Sequence, residues 1–300
     1  MKLTGLIESK AKIEISTLSD DKELSRDIQK HLTRLGILDP PPDGDFGPAS
    51  THAGRQFIRL IAGESIPTLD FNLARKLVEA DPATLLPVKP GRNLAGAVWQ
   101  AMEAKKYWQA RVPGYVNIVY LEGANRDGTP NPNRPNQFND LRIAMTVQDG
   151  APAIIGLWEA TTEPGKFYTE NPLNPMGAAR IALGQFKAWV VGTHGTAGGA
   201  HEALVQRSVI QVHRDLNRDF RRDNDAVDTG SSFAVNQHWG YDMPVEDIGK
   251  ASAGCLVGRT KEGHRKFMTL LKEDPRFKAS NGYRFMATIM TAADVAPFLS

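Results

Sequence analysis

Cys255 is the single cysteine of the 300-residue chain, and His238 precedes it with sixteen residues, 239–254, between them. A thiol is mostly protonated at neutral pH, and it becomes a good nucleophile when a nearby imidazole takes its proton or stabilises the thiolate. His238 ends a run typical of a β-strand, 233–237, and a loop then leads to the thiol. This arrangement predicts a catalytic pair in which Cys255 attacks a carbonyl carbon and His238 is the base.

Small residues stand directly before the thiol and end in Gly254. A glycine allows the backbone to approach a substrate closely, and the amides around Gly254 and Cys255 are expected to stabilise an oxyanion. Trp239 follows His238, so a contact that orients the imidazole has to use the backbone carbonyl of Trp239.

Two further histidines, His194 and His201, lie in the glycine-rich segment 192–201, which is expected to flank the cleft. Together with Cys255 or His238 they offer an alternative, because catalytic zinc takes three protein ligands and one water. Their spacing matches no zinc peptidase motif. We therefore expect a site without metal or other cofactor and keep the zinc site as the competing hypothesis.

The elements that carry these residues are short and β-rich. From Gly114 onward the runs are rich in β-branched and aromatic residues and are separated by Gly, Pro and Asn, which predicts a sandwich or barrel-like domain. The predicted strands are 115–121, 141–147, 153–158, 178–183, 187–191, 209–213, 233–237 and 283–289.

The N-terminal part reads as helical. Leu24, Ile28, Leu32 and Leu35 share one apolar helix face, and the Pro- and Gly-rich run 39–48 predicts an ordered turn. A second helix and a short third one near 71–80 complete a three-helix domain. We therefore predict an α+β chain with a helical domain at 1–80, a linker at 81–93, and a mainly-β domain at 94–300 that begins with a helix over 94–110.

Charge and composition argue against several classes of function. The net charge is +2 with a pI near 8.6, and the basic residues are scattered, so we expect no nucleic-acid partner. One cysteine allows no internal disulfide. No run approaches the ~18 apolar residues of a membrane span, and the first twenty residues lack the pattern of a secretory signal. We expect synthesis in the cytoplasm and release by phage lysis or non-classical export.

The N-terminal segment resembles the peptidoglycan-binding domain 1 family, a three-helix module. The resemblance covers about 40 residues and rests on Ile28-Gln29, Leu32, Leu35-Gly36, the run Asp43-Gly44-Asp45-Phe46-Gly47-Pro48, Ala53 and Phe57. In this pattern the side chain of Phe46 packs between the helices, and Asp43-Gly44 makes the tight turn before it. The resemblance implies bacterial peptidoglycan as the partner.

The C-terminal segment resembles the L,D-transpeptidase catalytic-domain family, whose signature is a His, 14 to 17 residues, and then Ser/Thr-His-Gly-Cys. His238, Ser252, Gly254 and Cys255 fall on that signature, and about 190 residues are covered. They are the predicted catalytic set. Ala253 stands where the signature has its second His, and Val257 where an Arg or Asn is usual. The C-terminal sequence looks like a divergent, phage-associated branch of the family.

These departures affect substrate binding more than the bond chemistry. Unlike transpeptidation, hydrolysis needs no binding site for a second peptide. The resemblance therefore implies an endolysin-like peptidoglycan peptidase that cleaves, in preference to exchanging, stem-peptide bonds through a Cys-His acyl-enzyme. Two alternatives remain open: a zinc-dependent peptidoglycan amidase or peptidase, and a catalytically inactive wall-binding or phage structural protein, which Ala253 favours.

Overall fold

The computed structural model describes residues 1–64, 66–196 and 198–299. It contains helices throughout and one large sheet in the C-terminal part, so the predicted α+β class is confirmed. Within these ranges, every helix is too short or too polar to cross a membrane.

The N-terminal part is a helical unit around one hydrophobic cluster. Its elements are α1 (Leu3–Glu8), β1 (Lys12–Glu14), α2 (Lys22–Arg34), α3 (Pro48–Ala62), β2 (Thr68–Asp70), α4 (Phe71–Glu79) and α5 (Pro82–Leu85), with a 3-10 turn at Ile15–Asp20. The three predicted helices are α2, α3 and α4. The antiparallel pair β1–β2 and helix α1 were not predicted.

The helix boundaries follow from their capping residues. The carboxylates of Asp21 and Asp70 accept backbone N–H groups in the first turns of α2 and α4. Pro48 opens α3, and Gly63 ends it in the left-handed conformation with φ of 76°.

Gln29, buried on α2, holds the turn between α2 and α3. Its Nε2 donates to Asp43 Oδ1 at 2.9 Å and to Ser50 Oγ at 3.0 Å, and its Oε1 accepts the N–H of Gly44 at 2.7 Å. Phe46 is buried in the helical cluster, as predicted. The buried amide thus hydrogen-bonds both the start of the turn and the first residues of α3.

The remaining chain forms one closed barrel, one small sheet, five α-helices and a 3-10 turn at Ala296–Phe298 among the described residues. The elements are α6 (Leu94–Ala104), β3 (Asn117–Glu122), β4 (Asp140–Gln148), β5 (Ala151–Thr161), α7 (Lys166–Glu170), β6 (Ala178–Ile181), β7 (Gly184–His194), β8 (His201–Gln206), β9 (Ile210–Asp215), β10 (Ala226–Gly230), β11 (Gln237–Trp239), β12 (Leu256–Gly258), α8 (Lys261–Glu273), α9 (Pro275–Ala279), β13 (Phe285–Thr291) and α10 (Ala292–Val295).

The barrel has the strand order β11-β12-β5-β4-β3-β13-β7-β8, and β8 pairs with β11 to close it. The pairs β11–β12 and β3–β13 are parallel, and the other pairs are antiparallel. A second sheet, β10-β9-β6, lies beside the barrel. A Cβ on Gly254 would stand 2.4 Å from the carbonyl oxygen of Ala179 in β6, so the segment before Cys255 packs against this small sheet.

Asp39, fully buried, joins the helical unit to the barrel. Its carboxylate binds Lys187 Nζ at 2.9 Å, Arg276 Nη1 at 3.3 Å and the hydroxyl of Tyr283 at 2.8 Å. Burial by itself raises the pKa of this carboxyl, but the charges of Lys187 and Arg276 outweigh it and lower the pKa. Asp39 is therefore ionised and well paired at neutral pH.

Several local predictions were wrong in extent. The helix over 94–110 ends at Ala104, and the strand over 233–237 shares only Gln237 with β11. Strands β8, β10 and β12 and helices α8 and α9 were not predicted. A three-residue strand such as β12 has no periodicity to detect, and it exists because β11 and β5 pair with it on both sides.

Candidate active site

The parallel pair β11–β12 brings Cys255 and His238 to adjacent strands. His238 is in register with Val257, and the N–H of Leu256 donates to the carbonyl of Asn236 at 2.9 Å, which extends the pairing toward Cys255. Ordinary strand spacings then put the Cα atoms of Cys255 and His238 roughly 8 Å apart. The two residues of the predicted pair thus come from neighbouring strand ends.

Cys255 is 8% exposed, and it lines an open cleft. Its Sγ donates to the carbonyl of Ala234 and accepts the N–H of Asn236, both at 3.4 Å. Among the described residues, His238 is not a hydrogen-bond partner of Sγ. Burial raises the pKa of the Cys255 thiol to about 11, so the resting group is a neutral thiol.

The cleft has a volume of about 570 Å³ and lies between the segment before Cys255 and the small sheet. This size is in the range that accommodates a small peptide ligand. Its walls are formed by Leu173, Asn174, Gly177, Ala178, Ala179, His194, Arg214, Asp228, Ser232, Phe233, Ala234, Val235, Ala253, Gly254 and Cys255.

The cleft wall carries one charge of each sign. Arg214 donates through Nε and Nη2 to one carboxylate oxygen of Asp228, at 3.0 and 2.9 Å, and its guanidinium lies 4.8 Å from the centroid of Phe233. The second oxygen of Asp228 and Nη1 of Arg214 have no hydrogen-bond partner among the described residues. Both charges therefore keep binding capacity toward a ligand.

His238 is oriented as the sequence predicts. Its Nδ1 lies 2.8 Å from the carbonyl oxygen of Trp239. A carbonyl only accepts, so Nδ1 carries the proton, and the lone pair is on Nε2. Burial and the neighbouring His194 lower the pKa of His238 well below its usual range. The ring is thus a neutral imidazole with an unprotonated Nε2.

Ser252 and Gly254 shape the turn before Cys255. Ser252 is buried, and its hydroxyl donates to the carbonyl of Cys255 at 3.0 Å and accepts the N–H of Gly254 at 3.1 Å. Gly254 has φ of 124°, a conformation that favours glycine. The bond to Ser252 occupies the Gly254 N–H that we expected at an oxyanion, whereas the Cys255 N–H has no partner among the described residues.

Four histidine rings cluster beside the site. His194 stacks on His238 with centroids 3.8 Å apart and planes inclined by 8°, and His201 stacks on Trp239 at 3.7 Å. His264, the fourth ring, lies 5.9 Å from His201. His194 lines the cleft, as expected for this segment. His201 belongs to β8, and its Nδ1 contacts the carbonyl of Gly199 at 2.9 Å.

This cluster is not arranged as a set of metal ligands. Imidazole binds a metal through an in-plane lone pair, whereas His194 and His238 face each other through their π-surfaces. In the described part of the chain, no group of three or more His, Cys, Asp or Glu side chains is placed to hold a metal ion. The zinc hypothesis gains no support from the positions of these residues.

No protein-family model matches the chain. No curated protein matches it either. Among solved structures, the chain aligns with a fused Zn-dependent amidase/peptidase/peptidoglycan-binding domain-containing protein from Clostridium acetobutylicum, at 12% identity and a TM-score of 0.30, over 93% of this chain and 99% of that one. A likeness of this size carries no argument about fold or function, so the resemblances found in the sequence remain predictions.

Arg142, a fully buried arginine of β4, bridges β11 and β12 next to His238 and Cys255. Its Nη2 donates to the carbonyls of His238 and Leu256, at 3.1 and 3.0 Å, and its Nε donates to the hydroxyl of Tyr120 at 2.7 Å. Its Nη1 lies 3.1 Å from Nδ1 of His264. Each of the three side-chain nitrogens therefore has a partner that is not a carboxylate, and the guanidinium bridges carbonyls of β11 and β12.

Sequence reasoning did not identify Asn236 or Arg142. Asn236 precedes His238 by two residues, and its N–H contacts Sγ of Cys255 while its side chain contacts His194. Period-two alternation along the strand was an available signal for Asn236. No local signal marks Arg142, because its partners lie 96 and 114 positions away.

Proposed function

We propose that the chain is a peptidoglycan-targeting cysteine enzyme that cleaves stem-peptide bonds. The observation that carries the proposal is the position of Cys255: a single thiol on the wall of an open cleft, one strand away from an imidazole whose Nε2 is unprotonated. Cys255 packs in a small apolar cluster with Phe138 and Val257, but it also lines the cleft, whereas an inert core thiol lines none. The Arg214–Asp228 pair in the same cleft suits stem peptides, which carry carboxylates and amines.

In the proposed reaction, Sγ of Cys255 attacks the peptide carbonyl while its proton passes to Nε2 of His238. The carbonyl electron pair moves to oxygen, and the N–H of Cys255 stabilises the oxyanion. Collapse breaks the C–N bond, and His238 returns the proton to the leaving amine. Water, deprotonated by the same imidazole, then hydrolyses the thioester.

Substrate binding has to rearrange the thiol for this reaction. At rest, Sγ–H points to the carbonyl of Ala234, and both Cys255 and His238 are neutral. For the transfer, rotation about the Cα–Cβ bond of Cys255 has to bring Sγ–H from this acceptor to Nε2 of His238, so the proton leaves during attack and not before it.

The helical unit is proposed to hold the enzyme at the wall. The residues of its peptidoglycan-binding resemblance, including Gln29 and Phe46, build the buried turn described above. A tethered binding unit raises the local concentration of substrate at the cleft. Release of the protein by phage lysis or non-classical export belongs to the same proposal.

The test is mass spectrometry of the soluble products released from purified sacculi by the full chain. Wild type is expected to release peptides, and Cys255→Ala and His238→Gln are expected to lose activity by at least about 10³-fold and 10²-fold, respectively. His31→Gln, on the helical unit, is the matched control and should keep full activity. Iodoacetamide should inactivate wild type, whereas a chelator should not.

Two results would contradict the proposal. Undiminished release by Cys255→Ala together with chelator sensitivity would favour the zinc hypothesis. Sedimentation of every variant with sacculi, without any released peptide from wild type, would show a wall-binding protein with no catalytic function.

A further inference from the structure

His194 shares the cleft wall with Cys255 and is stacked on the proposed base. The His194 and His238 centroids are 3.8 Å apart and their planes are inclined by 8°. A ring held this way has few orientations, because sliding it would break the stack. What His194 offers to a ligand therefore depends on which of its nitrogens carries the proton.

The surroundings determine that proton position. The N–H of Gln206 donates to Oδ1 of Asn236 at 2.9 Å, so the amide nitrogen Nδ2 is the atom 2.9 Å from Nδ1 of His194. An amide nitrogen only donates, and Nδ1 of His194 must accept. Burial and His201 lower the pKa of His194 to about 4, so the ring is neutral at pH 7 and its proton is on Nε2.

The stacked rings consequently have opposite tautomers. His238 donates through Nδ1 to the carbonyl of Trp239 and keeps a lone pair on Nε2. His194 accepts at Nδ1 and keeps an N–H on Nε2. One ring is equipped to take a proton and the other to donate a hydrogen bond.

The proposed reaction lacks one such donor. An oxyanion is usually stabilised by two donors, and here the N–H of Gly254 is bound to Ser252 Oγ. This leaves the N–H of Cys255. Cysteine and serine hydrolases commonly complete the pair with a side-chain donor, and His194 is the imidazole that lines the cleft beside Cys255.

We propose that Nε2–H of His194 donates the second hydrogen bond to the oxyanion formed when Cys255 attacks the substrate carbonyl. The inference rests on the proposed function and deepens it. No proton is transferred to or from His194: the thiol proton goes to His238, the new bond is S–C, and the carbonyl electron pair is held on oxygen by two N–H groups. His194 thus touches the reacting atoms.

The test compares His194→Phe with His194→Gln in the full chain. Phe keeps an aromatic ring on His238 and removes the donor, so kcat for peptide release should fall by about 10²–10³-fold. Gln keeps an N–H and should recover part of that loss. His201→Phe, in the neighbouring ring that does not line the cleft, is the control and should stay within about threefold of wild type.

A second measurement separates an oxyanion donor from a positioning role. Alkylation of Cys255 by iodoacetamide forms no oxyanion, so its rate should change less than about twofold in both His194 variants. Equal losses of alkylation and turnover would overturn the proposal, and so would full kcat in His194→Phe. If His194→Phe does not fold, His194→Gln is compared with a folded His194→Ala. A kcat of His194→Gln that is no higher than that of His194→Ala overturns the proposal. Peptide release by Cys255→Ala would instead reject the proposed function itself.

Discussion

Alkylation of the single cysteine across pH tests whether the thiol rests in its neutral form. Sγ of Cys255 is buried, donates to a carbonyl and accepts one amide. These surroundings raise its pKa to about 11, and His238, itself with a lowered pKa, provides no positive charge to stabilise a thiolate. The site therefore differs from cysteine enzymes that rest as a thiolate–imidazolium pair.

The raised pKa of Cys255 determines how slowly the thiol is alkylated. At pH 7 a thiol with a pKa of about 11 is ionised in about one molecule in ten thousand, whereas an ordinary thiol of pKa about 8.5 is ionised in about 3%. Because the thiolate is the reacting form, Cys255 should react roughly 300-fold more slowly than a reference thiol. The rate should rise about tenfold for each pH unit from 7 to 10.

The assay is the second-order rate constant for iodoacetamide, followed as one adduct by intact-mass spectrometry, with a cysteine peptide measured in parallel. His238→Gln should show the same slope with pH, since no imidazolium holds the thiolate. A rate plateau between pH 5 and 8 that disappears in His238→Gln would refute the reasoning, because it would reveal a preformed ion pair.

Four further predictions concern stability and the site. Asp39→Ala should cost about 3 kcal/mol of unfolding free energy, because the half-buried Lys187 loses its carboxylate partner and Arg276 keeps only Asp274. Asp39→Asn should cost less, and equal midpoints of the two variants in guanidinium denaturation would contradict this. Burial lowers the pKa of His264 to about 3, so below pH 6.5 the unfolded chain binds a proton that the folded chain does not, and stability falls as the pH falls. This ring alone should account for about 2 kcal/mol of unfolding free energy between pH 7 and 5. Urea unfolding at both pH values should show this loss in wild type and not in His264→Asn. Gly254→Ala should cost about 1–3 kcal/mol from its positive φ and its approach to a carbonyl, with a lower Tm and loss of peptide release; an unchanged Tm would argue against the strain. Arg142→Met should cost about 3 kcal/mol and lower kcat, because two strand carbonyls lose their donor; wild-type kcat in a folded variant would show that the spacing of β11 and β12 does not depend on it.

Local patterns predicted much of the helical unit. The apolar face from Leu24 to Leu35 and the turn ending in Phe46 depend on residues close in sequence, and α2, α3 and α4 lie where these patterns indicate. The contact from His238 to the carbonyl of Trp239 was also predicted, because neighbouring residues admit few alternatives. Helix α1 and the β1–β2 pair were missed, since β1 pairs with a strand more than fifty positions away.

For the candidate site, too, some features could be predicted from the sequence and others could not. The sequence determined which residues can do chemistry: one thiol, a histidine at a strand end, and a glycine that tolerates φ of 124°. Only the tertiary structure decided that the N–H of Gly254 is bound by Ser252 and that His194 stacks on His238.

The physical reason is the range of the interactions. Helix faces, caps and turns are set by side chains within a few positions of one another, and those forces act in any context. The stack of His194 on His238 and the contacts of Arg142 require the register of several strands at once. Closure of the barrel fixes that register, and no short segment contains it.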